Sequence, residues 1–212
     1  MNKRRLCLLL CAVLLLLCLA GCGGCSRAPE LEEIYDRTVE LVEGSRRMSV
    51  IFYGAGLPVY DRQSAIYRDL YDSDTSAYRT QYSIVAPRCG YVSVDALKAA
   101  AAEVWSPGLL EKQVFPAAFD GLSASIGGQS SIAPARFQED GNRLYCLDGL
   151  PDRAPSQLIF DFSTLKIIRP SNATRVLLTL DCWEVDKPQS KFLYRLTLVN
   201  SSGTWLLDKV VI

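Results

Sequence analysis

The sequence predicts an α+β domain, with N-terminal helices packed on a curved antiparallel sheet. Three observations carry the prediction. Apolar residues between 31 and 42 recur at three and four positions, and a second helical zone begins at Ser93. Beyond residue 134 the chain alternates in short strand-like runs separated by turn residues. Helices first, then a meander of antiparallel strands, indicate α+β. No internal repeat is present.

The first helix is carried by Leu31, Ile34, Tyr35, Thr38, Leu41 and Val42, with Glu30, Glu32 and Glu33 favouring its positive N-terminal end. Gly44 is a plausible C-terminal stop. Met48 to Tyr53 fits either more helix or a short strand, and Gly54-Ala55-Gly56-Leu57-Pro58 breaks regular structure. Residues 60 to 82 hold Tyr60, Tyr67, Tyr71, Tyr78 and Tyr82. Ile66, Tyr67, Leu70 and Tyr71 lie on one helical stripe, whereas Tyr78 to Val85 alternates as a strand.

Ser93 is suited to capping a helix whose apolar face is Val94, Leu97, Ala101, Val104 and Trp105. Ser106-Pro107 opens another, with Leu109, Leu110 and Val114 inward. Pro116 lacks the amide hydrogen of the helical ladder and should end or kink it. Gly121 to Ala133 is small and polar and reads as loop. Ala135 to Gln138 and Arg143 to Leu147 form a hairpin through Glu139-Asp140-Gly141-Asn142. Leu158 to Phe162 and Leu165 to Arg169 read as separate short strands. Arg175 to Val185 and Lys191 to Asn200 are longer, and Ser201-Ser202-Gly203 turns into Trp205 to Ile212. In the last pair, Leu193, Arg195, Thr197 and Val199 alternate with Tyr194, Leu196 and Leu198, so both faces look partly covered.

Location is written at the start of the chain. Lys3, Arg4 and Arg5 precede fourteen uncharged residues, Leu6 to Leu19, and then Ala20, Gly21 and Cys22. A basic start, an apolar run and a small-residue end describe a secretory signal. Fourteen helical residues rise only about 21 Å, short of the roughly 30 Å hydrocarbon core. Leu19-Ala20-Gly21-Cys22 resembles the bacterial lipoprotein lipobox, whose cysteine is lipidated and becomes the first mature residue. The resemblance implies lipid attachment at Cys22 and a membrane anchor on the extracytoplasmic face. It divides the chain into a signal peptide (1–21), a tether (22–29) and one domain (30–212). Three other readings stand beside it: an uncleaved anchor helix, processing at Cys25, and cleavage by an ordinary signal peptidase. Gly23-Gly24 before Cys25 lacks the preceding Leu-Ala.

Composition excludes several chemistries. The chain has no histidine, which removes Ser-His-Asp and Cys-His nucleophile systems and histidine-bearing zinc sites. Loss of residues 1 to 21 takes away three of 23 basic groups and none of 23 acidic ones, leaving 191 residues at net charge −3. That balance argues against nucleic acid as a partner. Cys7, Cys11 and Cys18 leave with the signal, and Cys25, Cys89, Cys146 and Cys182 remain beside Cys22. Cys146 and Cys182 fall in strand-like runs and either pair as a disulfide or pack as small apolar thiols.

The order of elements, closing on Gly203-Thr204-Trp205-Leu206-Leu207-Asp208, is similar to the NTF2-like cone. That resemblance implies a curved sheet wrapped round helices, with a pocket. Residues 78 to 212 also loosely resemble IseA-type inhibitors of bacterial cell-wall DL-endopeptidases. This likeness rests on the strand Tyr78 to Val85, the Ser93-to-Trp105 helix, Glu139-Asp140-Gly141-Asn142-Arg143-Leu144-Tyr145 and the closing hairpin. Neither family supplies catalytic residues to carry over.

Other motifs are weak. Ser163-Thr164-Leu165-Lys166 matches S-x-x-K but lacks S-D-N and K-T-G companions and sits between strand-like runs. Asp72-Ser73-Asp74-Thr75-Ser76 begins like a calcium loop, yet Ala77 and Ser83 stand where glycine and glutamate belong. Nothing in the spacing of Asp61, Asp69 and Asp120 brings two carboxylates together. The tyrosines suit sugars, peptides or a partner surface, or equally the packing of a core. Tyr60, Tyr67, Tyr71 and Tyr82 are therefore the candidate ligand-binding residues, with no catalytic residue, metal or cofactor expected. The expected function is non-catalytic binding of a small ligand, a peptidoglycan fragment or an envelope protein; the alternative is IseA-like inhibition of a cell-wall hydrolase.

Overall fold

A computed structural model describes residues 27–71, 77–126, 129–150 and 158–211. Within them the architecture is α+β. The first helix, α1 (Leu31–Tyr53), is longer than the sequence pattern suggests: it runs through Gly44 and takes in Met48 to Tyr53. Gly44 lies inside the helix, where the turn after the next helix (Val94–Ala102) packs closely against it. It is buried, and a Cβ added there would lie 3.0 Å from Val104 Cγ2.

Strands β1 (Val59–Tyr71) and β2 (Ala77–Val85) follow, then one 3₁₀ turn (Pro87–Cys89) and α2 (Val94–Ala102). Ser93 Oγ accepts the Ala96 amide at 3.1 Å, the cap expected from sequence. The third helix, α3, begins as an α turn (Pro107–Leu109) and continues in wider π turns, Leu110–Val114 and Pro116–Asp120. Pro116 thus loosens this helix without ending it, since the wider ladder carries on across the proline. Leu109, Leu110 and Val114 are buried as expected.

Residues 121 to 133 are not loop. They form a hairpin of β3 (Leu122–Ile126) and β4 (Gln129–Ala133), paired from Leu122 with Ala133 to Ile126 with Gln129. A ladder uses only backbone groups, so serine and alanine serve where propensity is silent. The expected β5–β6 hairpin is present, β5 (Phe137–Asp140) meeting β6 (Arg143–Leu147) through a two-residue turn. Gly141 and Asn142 take φ of 54° and 64°, the left-handed pair such a turn requires.

The two short strands expected between 158 and 169 are one strand, β7 (Leu158–Ile168), with an irregularity between Asp161 and Lys166. Asp161 side-chain and backbone oxygens accept from Ser163 and Thr164, which satisfies the bulge locally. β8 (Arg175–Glu184), β9 (Phe192–Ser201) and β10 (Thr204–Leu207) complete the meander. On β9, Leu196 and Leu198 are buried while Leu193 is 67 % exposed, so one face is far better covered than the other.

The strands form two four-stranded sheets, β1-β2-β6-β5 and β10-β9-β8-β7, plus the separate β3–β4 hairpin. Among the described residues this differs from the single curved sheet that the NTF2-like comparison implies. α1 packs on β10 and β7, whereas α2 and α3 pack on β5. The helices therefore bridge the two sheets, and their shared core includes Ile34, Phe52, Leu97, Trp105, Phe137 and Leu178. Trp105 lies at the junction. It is fully buried, forms a parallel bridge to Leu207, and meets Phe52 edge to face at 5.7 Å.

Below Trp105 is a buried polar knot. Ser45 Oγ accepts Trp105 Nε1–H and the Val211 amide, each at 2.9 Å, and Ser49 Oγ donates to the Val211 carbonyl at 2.7 Å. Two α1 serines thereby hold the segment after β10 without leaving a buried donor unmet. Across α3, Ser106 Oγ accepts the Leu109 amide and donates to Asp208 Oδ1 at 2.6 Å.

Candidate functional site

An open cleft lies where the β5–β6 turn faces the segment after β2. The segment is shaped by its own backbone: Ala86 N–H donates to Pro58 O at 2.7 Å, and Cys89 N–H to Ala86 O at 3.1 Å. This turns the chain so that Pro87, Tyr91 and Val92 form one wall. The Tyr91 hydroxyl lies 3.9 Å from Met48 Sδ, which ties that wall to α1. Val85 and Leu144 are buried beneath, and Asn142 and Arg143 enter from the turn. The space enclosed is about 430 Å³, within the range of small-ligand sites. Tyr60 stands at its mouth with 74 % of its surface exposed, and Val92 with 64 %.

A second depression of about 440 Å³ adjoins the first. Tyr60 and Pro87 line both, and Arg88 lines the second. Tyr60 is therefore a ridge between two hollows, with Arg143 on one side and Arg88 on the other. Among the described residues, no carboxylate lines either hollow. Neither arginine takes part in a salt bridge among those residues. Two acids on β5 stand close by without lining the hollows: Glu139 accepts the Val94 amide at 2.9 Å, at the start of α2, and Asp140 lies opposite Arg143 in the β5–β6 register.

The four candidate tyrosines do not gather round one cavity. Tyr82 is fully buried; its hydroxyl donates to the Ala135 carbonyl at 2.8 Å and Gln138 Nε2 lies 3.4 Å away. It packs the core between β2 and β5 and does not face the cleft, a correction to its place among the ligand-binding candidates. Tyr67 and Tyr71 lie on β1, opposite Gln81 and Ala77, and their side chains fall outside the described residues. The helical stripe expected for Ile66, Tyr67, Leu70 and Tyr71 is instead part of this strand. Tyr60 reaches the cleft. Tyr91, Asn142 and Arg143 join it, which sequence reading passed over because 80 residues separate Tyr60 from the turn.

The remaining motifs resolve into structure. Ser163-Thr164-Leu165-Lys166 occupies the β7 irregularity. Ser163 Oγ bonds Asp161 Oδ1, Thr164 Oγ1 accepts the Asp181 amide, and Lys166 lies opposite Thr179. Asp72 to Ser76 and Cys22 lie outside the described residues, as do the side chains of Asp61 and Asp69. Among the described residues no three acidic, cysteine or histidine side chains converge on a point that suits a metal. No helix among them is long and apolar enough to cross a membrane.

Cys146 and Cys182 are free thiols in different sheets, on β6 and β8. Burial pushes both thiols upward, with nearby Asp181 adding to the rise at Cys182. Burial raises the Tyr53 and Tyr194 phenols in the same way. The unfolded chain releases these protons from about pH 8.5 for a thiol and about pH 10 for a phenol. The native chain keeps them to higher pH, so it binds more protons than the unfolded one in that window, and stability falls as pH rises through it. Urea midpoints are expected to hold steady from pH 7 to 8 and to drop by pH 10. A midpoint that rose over that interval would contradict this account.

No protein-family model matches the chain, and no curated protein matches it.

Proposed function

We propose that this chain is a bacterial extracytoplasmic lipoprotein, tied to the membrane through Cys22, whose domain binds a small ligand, a cell-wall fragment or an envelope protein without transforming it. One observation carries the binding part: Tyr60, 74 % exposed, at the mouth of an open cleft that sets aliphatic walls beside polar groups. A ring left in water beside apolar walls gains by being covered, and amphipathic tyrosines are enriched where proteins meet partners. Support for binding over catalysis comes from a chain without histidine and a cleft lined, among the described residues, by no carboxylate. General acid–base chemistry near neutral pH has little to draw on there.

Tyr60→Ala tests the proposal cleanly, because so exposed a ring contributes little to folding. Truncating a tyrosine at the centre of a contact costs about 2 kcal/mol, or roughly 30-fold in affinity. Soluble fragments from digested cell wall and solubilised envelope proteins are offered in parallel to native and Tyr60→Ala protein. The variant should keep its melting temperature and retain far less of whichever class the native protein binds. Equal retention by both, or steady turnover of any fragment, would overturn the reading.

A further inference from the structure

We infer that the Tyr60 ridge and its two hollows accept an acidic peptide with aliphatic side chains, whose carboxylates meet Arg143 on one side and Arg88 on the other. This rests on the cleft being a binding site and adds the chemistry of its occupant.

The argument runs from donors and acceptors. Arg88 and Arg143 supply guanidinium N–H groups, which donate and never accept. The acceptors in the lining are the Asn142 amide oxygen, the tyrosine hydroxyls and backbone carbonyls. A glycan presents hydroxyls that both donate and accept, and is served best by a site that offers carboxylates beside its aromatic ring. A carboxylate only accepts, and two guanidiniums without an ion-pair partner among the described residues match it. Nothing acidic in the described lining opposes such a ligand: the Glu139 carboxylate is bonded to the Val94 amide, and Asp140, opposite Arg143 on the hairpin, lies outside both hollows and forms no salt bridge with that arginine.

The walls decide the rest of the ligand. Ile84, Val92, Leu144 and Pro87 are aliphatic and suit branched side chains over a polar body. Because Tyr60 and Pro87 belong to both hollows, an occupant that uses both must cross the ridge. The ligand is thus extended, with charge towards each end and an apolar middle over the tyrosine. Inorganic phosphate has the charge but neither the length nor the apolar middle.

The test uses the full-length protein and calorimetric titration with three probes. These are a synthetic peptide Glu-Leu-Val-Leu-Glu with blocked termini, its Gln-Leu-Val-Leu-Gln counterpart, and inorganic phosphate. The acidic peptide should bind at least about tenfold more tightly than the glutamine peptide, and Arg143→Ala or Arg88→Ala should each weaken it about tenfold. Affinity should also fall as salt rises, less steeply in either variant. If both peptides bind equally and Tyr60→Ala weakens both, the cleft is a binding site and the charge assignment is wrong. If neither peptide binds, or phosphate binds as tightly as the acidic peptide, the proposed occupant is wrong, while the cell-wall and envelope assay with Tyr60→Ala still decides whether the cleft binds anything. Lysine in place of either arginine should restore part of the affinity, which a merely structural role for the arginine would not predict.

Discussion

Trp105→Ala is expected to lower the stability of the domain by about 4 kcal/mol, at the upper end of what a single core truncation costs. Three contributions stack at this residue. The indole is fully buried among Phe52 and Tyr53, so its removal opens a large void between helix and strand layers. Its N–H donates to Ser45 Oγ, so the truncation also leaves that buried hydroxyl short of a partner. Its neighbourhood is the seam where β10 meets the chain before α3, through Leu207 N to Val104 O at 2.9 Å and Ser106 N to Leu207 O at 2.7 Å. A domain of this size loses roughly 2–4 °C per kcal/mol, so the melting temperature should fall by about 10 °C. Trp105→Phe keeps most of the volume and loses the hydrogen bond; it should cost about 2 kcal/mol. A calorimetric scan in which Trp105→Ala melts within two or three degrees of the native protein would show that the seam is not where the two layers are joined.

Cys22→Ser should abolish the proposed lipid anchoring, leaving the chain either unprocessed with its apolar leader or, once cleaved, free of the membrane. A hydroxyl cannot form the thioether that a lipobox cysteine acquires, so anchoring by acyl chains, each buried methylene contributing about 0.8 kcal/mol, is lost at a stroke. Among the described residues nothing would compensate once the leader is removed: no helix there can span a bilayer, and the net charge of −3 that processing at Cys22 would leave gives no attraction to anionic lipid. Fractionation should find the native chain with membranes and the variant in the soluble or unprocessed pool, and mass spectrometry should find acyl mass on Cys22 alone. A native chain carrying an intact leader, or an unmodified sulfur at its new amino end, would sink the lipoprotein proposal. Persistence of Cys22→Ser on washed membranes after cleavage would do the same.

Much of the architecture was legible because it was locally encoded. Ser93 and Ser106-Pro107 start helices by chemistry contained in a few residues, and Gly141-Asn142 turns a hairpin by its backbone freedom. What was misread depends on distant pairing. Ile66, Tyr67, Leu70 and Tyr71 satisfy a helical repeat, yet β2 offers β1 a ladder from Val59–Val85 to Tyr71–Ala77, and that pairing overrides propensity. Gly44 looks like a stop until Val104 arrives from the turn after α2. The cleft shows the same division. Tyr60 stood out by composition, but Arg143, Asn142 and Tyr91 reach it only once the sheet has formed. Tyr82, on β2 next to β1, stands out by residue type alone and is spent on the Ala135 carbonyl.

The length of α1 has a spatial consequence. Its 23 residues make a rod of about 34 Å. Met48, which touches the cleft wall through Tyr91, sits some 25 Å along that rod from its first turn. On the proposed anchoring at Cys22, only the eight residues 23–30 would separate the lipid from Leu31, and the rod would act as a stilt. It would then lift the Tyr60 opening clear of the bilayer, towards whatever polymer or protein lies above the membrane, so lengthening the tether should matter far less to recognition than shortening the helix.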